Sequence, residues 1–380
     1  MSTTTATTVG LALEPLDVLF FRDGRPFMSS NEQMVSGLPL PQTLAGAIRA
    51  ALLRMAGCDF GRLKQEIQAG LSFAQTVKQA CLHEYRWIGQ MTVRGPWLAR
   101  WVDEEKNKFE VLVTAPAILH AEKTNTRNSP LLRLAPLPAA ELPGWSLPQG
   151  WPDLRPLWLK HLPATERVKG YLTATGLAQF LQGNTIDANA VVRDADLFER
   201  DFRIGIGITP DRLVAAESQI YGCGFLALKD KVFFYAEVLL PDRKPAREAL
   251  EQLTTLALGG EGRHVSCRCL AERFAWPNAT PRGDKQKPLI LLTTPCVFAD
   301  GWKPKDLVNH LASAAVPDPI AFSGWDLARG GPKPTRFAVP AGSVYFLESA
   351  LDNWPSSLAE TDDERQQGWG CYVTGVWTDE

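Results

Sequence analysis

The sequence predicts an α+β chain made of two βαββαβ units in tandem, each with loop insertions. Three observations predict it. Apolar runs of strand character recur from Val9 to Trp377. Two segments, Leu40 to Gly57 and Lys244 to Gly260, instead carry the roughly 3.6-residue period of an amphipathic helix. After Lys229 the strand and helix pattern starts again. Strand–helix–strand–strand–helix–strand is the ferredoxin-like order. The expected division is an N-terminal unit over residues 1–229 and a C-terminal unit over 230–380. A chain of 380 residues suits two cores, because one core rarely keeps growing beyond about 250–300 residues.

The elements follow in order. Val9 to Phe21 reads as the first strand. In the helix over 40–57, Leu44, Ala47, Ile48, Ala51, Leu52 and Met55 share one face. Thr43 fits its N-cap and Gly57 its C′ position. Gly46 lowers the helix propensity and marks a close approach. Strands are expected over 87–102 and 108–121. Residues 125–163 are rich in Pro and Trp and too long for a simple connection, so they read as an insertion packed on a surface. Strands over 202–208 and 218–229 close the first unit. The second opens with a strand over 231–240 and a helix over 244–260, in which Ala246, Ala249, Leu250, Leu253 and Ala257 share a face. Strands over 263–274 and 287–298, a short helix within 303–315, and strands over 336–348 and 369–377 complete it.

Composition excludes some functions. The net charge is −2, so this is no globally basic nucleic-acid coat, and any polyanion must meet a local patch or an assembly. No apolar run reaches membrane-spanning length, and the first ten residues lack the pattern of a signal peptide. Seven scattered cysteines read as reduced thiols, which points to the cytoplasm. Many of the 12 tryptophans stand in Pro-rich stretches, where they suit anchoring of loops or partner subunits. Trp151 and Trp158 are the partner-facing candidates.

Three segments carry candidate chemistry, each with two readings. In "FFRDGRPF", Asp23-Gly24 makes a tight turn that leaves Arg22 and Arg25 solvated, or the two planar guanidiniums grip phosphates. In "LGGEGRH", Gly259 or Gly260 caps the preceding helix, or the glycines admit a sugar-phosphate chain beside Arg263. It is neither a Walker A loop nor a dinucleotide fingerprint, since it lacks Gly-Lys-Ser/Thr and opens no helix. The third segment, "GWDLARGGPKPTRF", carries Arg329, Lys333 and Arg336, as a linker or as a basic loop touching RNA or a neighbouring subunit. Cys267 and Cys269 point to one strand face, with no second pair or His cluster to complete a zinc set. The five histidines are dispersed, and "ETDDER" reads as a solvated acidic loop. No catalytic residue, metal or cofactor is predicted.

Five segments occurring in one order resemble a known family: "EPLDVLFFRDGRPF", "GLPLPQTLAGAIRAALL", "RIGIGITPDRLVAAESQIYG", "LGGEGR" and "GWDLARGGPKPTRFAVPAGSVYF". The chain is similar, from about residue 13 to about residue 375, to the third subunit of the type III-B CRISPR effector, the Cmr complex. That family lies in the RAMP superfamily of RRM-like proteins. The resemblance implies two fused ferredoxin-like folds and a non-catalytic, cytoplasmic subunit acting in antiviral defence. It implies binding of the 5′ repeat-derived tag of the guide RNA, docking on the large multidomain subunit, and contact with the backbone RAMP subunits. The RNA-facing candidates are then Arg22, Arg25, Arg49, Gly259, Gly260, Arg263, Lys333 and Arg336. Two alternatives stay open. One is a RAMP-type endoribonuclease processing repeat RNA with His83 or His264 as general base; the other is a pure protein–protein adaptor.

Overall fold

The first strand, β1 (Ala6–Pro15), is buried along Val9 to Leu13 because it has a neighbour on either side. Downstream come α1 (Pro41–Met55), α2 (Phe60–Gln68), α3 (Phe73–Ala80), β2 (Thr92–Asp103), β3 (Lys108–Thr114) and α4 (Ala174–Leu181). The long hairpin strands β4 (Phe198–Thr209) and β5 (Val214–Leu228) precede β6 (Val232–Pro241), α5 (Lys244–Glu251), β7 (Thr255–Ala257) and β8 (His264–Cys269). Then follow β9 (Gln286–Leu292), β10 (Leu311–Ala315), β11 (Val344–Leu347), α6 (Asp362–Gln367) and β12 (Tyr372–Thr378). This computed structural model describes residues 6–21, 34–123, 129–138, 141–142, 144–146, 154–209, 214–241, 244–326 and 329–379.

The chain forms two compact units that interleave in sequence. One takes Met1–Pro96, Leu197–Arg273 and Ala321–Phe337; the other takes Trp97–Asp196, Phe274–Ile320 and Ala338–Glu380. The division expected at residue 229/230 is therefore not where the units part. β1 pairs antiparallel with β6 from Ala6↔Pro241 to Leu13↔Phe234, so strands from both sides of that boundary share one sheet. Local periodicity reveals that a strand exists but not which strand it will pair with.

The sheet that holds β1 has eight strands, and its order includes the stretch β3–β2–β6–β1–β8–β7. α1 buries Leu44, Ile48 and Leu52, as its period requires, whereas Met55 at its end is 43% exposed. The helix starts from Leu40 with Pro41 at its first position, where a missing N–H costs nothing, and Thr43 is not its cap. Gly57 has φ +61° and ends the helix as expected. Gly46 faces open space, so no close approach explains it among the described residues. α2 and α3 escaped the periodicity reading because they are short. Their caps were nonetheless written in the sequence: Asp59 accepts from the Arg62 N–H, and Ser72 and Gln75 form a capping box.

The helix expected over 244–260 stops at Glu251. Thr255 to Ala257 pair instead with Ser266 to His264, so the glycine run that follows is a hairpin turn and not a helix cap. Two more expectations change. The short helix within 303–315 is a 3-10 turn over Lys305–His310 leading into β10. The acidic "ETDDER" forms α6, whose Glu364 N–H donates to Thr361 Oγ1.

In the second unit the sheet order is β10–β11–β9–β12, all antiparallel. Phe180, Leu181, Leu289, Leu291, Phe346, Val373 and Trp377 belong to its core. Arg133 reaches the C-terminal end of α4, donates to the Phe180 carbonyl at 3.0 Å and lies over the Phe180 ring at 4.7 Å. Burial pushes its pKa down to about 10. The described parts of the Pro/Trp-rich insertion pack on this unit, with Leu131 in its core and Leu154 buried. Arg155 pairs with Glu348 at 2.8 Å and Asp379 at 2.6 Å. Trp158 is half exposed, while Trp151 lies outside the described residues. No described helix is long and apolar enough to cross a membrane.

Candidate nucleic-acid interface

The strand expected over Val9 to Phe21 ends at Pro15, and the chain beyond it is held at Leu19 by β5. Leu19 and Leu226 exchange both backbone hydrogen bonds at 2.8 Å. The Phe21 N–H donates to Ser36 Oγ at 2.8 Å, and the Gly37 N–H donates to the Phe21 carbonyl at 3.3 Å. Met34 and Val35 pair parallel with Cys223 and Gly224. The chain thus departs at Phe21 and returns beside it. Arg22 and Arg25 belong to the segment between and lie outside the described residues. What is described is their anchorage.

The glycine turn between β7 and β8 rests on that same stretch. The Gly260 N–H donates to the Phe20 carbonyl at 2.8 Å, and within the turn the Leu258 N–H donates to the Arg263 carbonyl at 2.9 Å. Gly259 has φ +86°, and a Cβ there would stand 2.5 Å from the Phe20 carbonyl oxygen and 2.9 Å from the Phe21 ring. Gly260 lacks such a φ, and its added Cβ would meet Phe20 only at an ordinary 3.4 Å. Of the two glycines expected to cap a helix, neither does; Gly259 holds its left-handed φ in a hairpin turn. Two segments more than two hundred residues apart, "FF" and "GG", are brought into contact.

Arg263 is not an unengaged cation. Its Nη1 donates to Asp17 Oδ2 at 2.6 Å and its guanidinium lies 4.9 Å from the Phe225 ring centre. Arg203 lies over the same ring at 5.1 Å and 3.9 Å from Asp17. Asp17, Arg203 and Phe225 were absent from the candidate set; the one signal for them was a lone acid inside an apolar run. The Val18 N–H most of all holds the Asp17 carboxyl below its ordinary value of 3.8; burial opposes it, and the charges of Arg263 and Arg203 lower it further. Its stabilising contribution is complete above the unfolded-state value and is lost as pH falls through the lowered folded-state value. An Asp17→Asn variant is therefore expected to melt below wild type at neutral pH, the gap closing as the pH drops below the carboxylate range. Melting temperature against pH checks this; a gap that stays constant through the acid limb refutes it.

Arg49 requires a correction. It is buried, its guanidinium stacked 4.5 Å from the Phe73 ring centre and its Nη2 3.5 Å from the Met91 carbonyl. It cements α1 to α3 and offers no surface to RNA. Lys333 and Arg336 are exposed. Their segment is closed by the Lys333 N–H on the Gly324 carbonyl at 2.7 Å and held to α1 by Gln42 Nε2 on the Ser323 carbonyl at 3.3 Å. Arg329 is engaged with Asp326. His83 stands exposed on a 3-10 turn, and His264 Nδ1 lies 2.8 Å from the Gly262 carbonyl. Burial pushes the Cys267 thiol up to about 12.

The family model for CRISPR-associated protein (Cas_Cmr3) matches residues 11–377. The chain belongs to the Cmr3 family. The type III-B family that the motifs resemble is thus the one matched along the chain. A search of curated proteins returns no match. Among solved structures, this Cmr3-family chain is similar to a chain of the type III-B Cmr-beta complex bound to cognate target RNA and AMPPnP, determined by cryo-EM. The identity is 15%, with 89% of this chain and 86% of that chain covered and a TM-score of 0.47. It is also similar to a chain of the Csm1-Csm4 cassette in complex with AMPPNP, at 12% identity, 99% and 100% coverage and a TM-score of 0.37.

Proposed function

We propose that this Cmr3-family chain is a non-catalytic RNA-binding and scaffold subunit of a type III-B CRISPR effector, acting in the cytoplasm in antiviral defence. It holds the 5′ repeat-derived tag of the guide RNA and docks on the large multidomain subunit and the backbone RAMP subunits. One observation carries the reading: the glycine turn at Gly259 sits against Phe20 and Phe21, directly at the root of the segment bearing Arg22 and Arg25. The turn is thereby fixed at the root of a segment whose sequence carries two arginines, residues suited to phosphate. Exposed Lys333 and Arg336 supply further charge, and half-exposed Trp158 suits a subunit contact. The strand orders also support two ferredoxin-like modules. The stretch β2–β6–β1–β8 of the eight-stranded sheet and the four-stranded sheet β10–β11–β9–β12 each run second–third–first–fourth in chain order among their four strands.

The test is to incubate the full chain with labelled repeat RNA. Retention without cleavage is expected, with or without divalent metal. Arg22→Ala with Arg25→Ala should leave the melting temperature unchanged and lower the salt slope of binding by about 1.4, since each lost single-strand phosphate contact removes about 0.7. Unchanged affinity and slope would reduce "FFRDGRPF" to a solvated turn. Metal-independent cleavage that vanishes with His83→Ala or His264→Ala would instead make the chain an endoribonuclease.

A further inference from the structure

α2 is a helix in which none of the nine residues is buried, so its sequence serves its surface. It lies against α3, and the two are joined through Gly70 and Leu71. Between α2, α3 and the 3-10 turn His83–Gly89 opens a cleft of about 600 Å³ lined by Arg62, Leu71, Gln75, Lys78, Gln79 and Arg86. Three cations and two amides thus line one concavity, with a single apolar side chain. From Arg54 to Gln90 the chain carries five Lys or Arg against three Asp or Glu, while the whole chain is net negative. Glu66 is the nearby acid; it faces Arg62 at 3.9 Å and accepts from the Gln79 side-chain amide at 2.7 Å. Among the described residues neither Lys78 nor Arg86 has an ion-pair partner.

We infer that this cleft is a second RNA contact, gripping the phosphates of a single strand independently of base sequence. The inference rests on the RNA-binding reading above and adds a site that reading does not use. The lining decides the ligand class. Small-molecule pockets of this size are mostly apolar, and a helical peptide needs an apolar groove; neither description fits. No aromatic ring lines the cleft, so bases have nothing to stack on. What remains is two arginine forks and an ammonium, a set suited to phosphate oxygens and blind to sequence.

The experiment measures affinity of the full chain for labelled poly(U) and poly(C) over a range of salt. The variants are Arg62→Gln/Lys78→Gln/Arg86→Gln and, keeping the Arg62–Glu66 pair, Lys78→Gln/Arg86→Gln. The triple variant is expected to bind both RNAs about ten- to a hundredfold more weakly near 0.1 M salt, with a slope reduced by about two. The double variant should lose roughly two thirds of that slope change. Wild-type melting behaviour in the double variant separates this from misfolding. RNA binding that both variants retain overturns this inference alone. A wild-type chain that binds no RNA overturns it together with the parent reading. A loss confined to one homopolymer, or a loss of subunit co-purification with RNA binding intact, also overturns it, because the cleft would then read bases or hold protein.

Discussion

Gly259→Val is expected to destabilise the chain by about 2–4 kcal/mol and to weaken RNA binding in the fraction that stays folded. The cost has two sources. The backbone at Gly259 holds φ +86°, which a β-branched residue adopts only under strain. A Cβ would also stand 2.5 Å from the Phe20 carbonyl oxygen, and that oxygen is backbone and cannot swing aside. The same carbonyl accepts the Gly260 N–H, and the next residue, Phe21, donates to Ser36. Displacing it therefore disturbs both roots of the segment carrying Arg22 and Arg25. Gly260→Ala is the matched control. Its Cβ would lie 3.4 Å from the Phe20 ring, ordinary contact, and its N–H bond survives, so a change within about 0.5 kcal/mol is expected. Denaturant midpoints and RNA affinities of the two variants, measured side by side, decide the matter. Equal losses would mean that the turn is not seated on Phe20.

Phe180→Ala should cost about 3–5 kcal/mol. The ring is fully buried among Leu181, Leu289, Phe346 and Trp377, residues contributed by α4, β9, β11 and β12. Elements held from several directions cannot collapse into the space left behind, and the cavity adds to the lost burial. Arg133 makes the loss worse, because its desolvated guanidinium lies over this ring and donates to the carbonyl of the same residue. Phe180→Leu, which fills most of the volume, should cost about 1.5 kcal/mol or less. Chemical denaturation of the full chain measures both. A loss below about 1 kcal/mol for the alanine variant would show that the core does not close around Phe180.

Local signals in the sequence were read correctly where local physics decides the outcome. The face of α1 follows from residues three and four apart, which the helix brings together whatever surrounds it. Apolar runs likewise marked β6, β9 and β12 as strands. The family was legible from five short segments, and the match over residues 11–377 agrees with it. Tertiary structure alone settled the rest. Thr255 to Ala257 carry helical spacing, yet the hairpin partner at His264 to Ser266 supplies backbone hydrogen bonds that outweigh it. Arg49 has the composition of a surface cation, and only the position of Phe73 and Met91 takes it inside. Arg263 has the composition of a phosphate ligand, and only Asp17, 246 residues away in sequence, engages its charge. Periodicity, capping and composition are properties of neighbours along the chain. Pairing, burial and charge partnership belong to residues that meet only after folding, and no local pattern encodes which ones will meet.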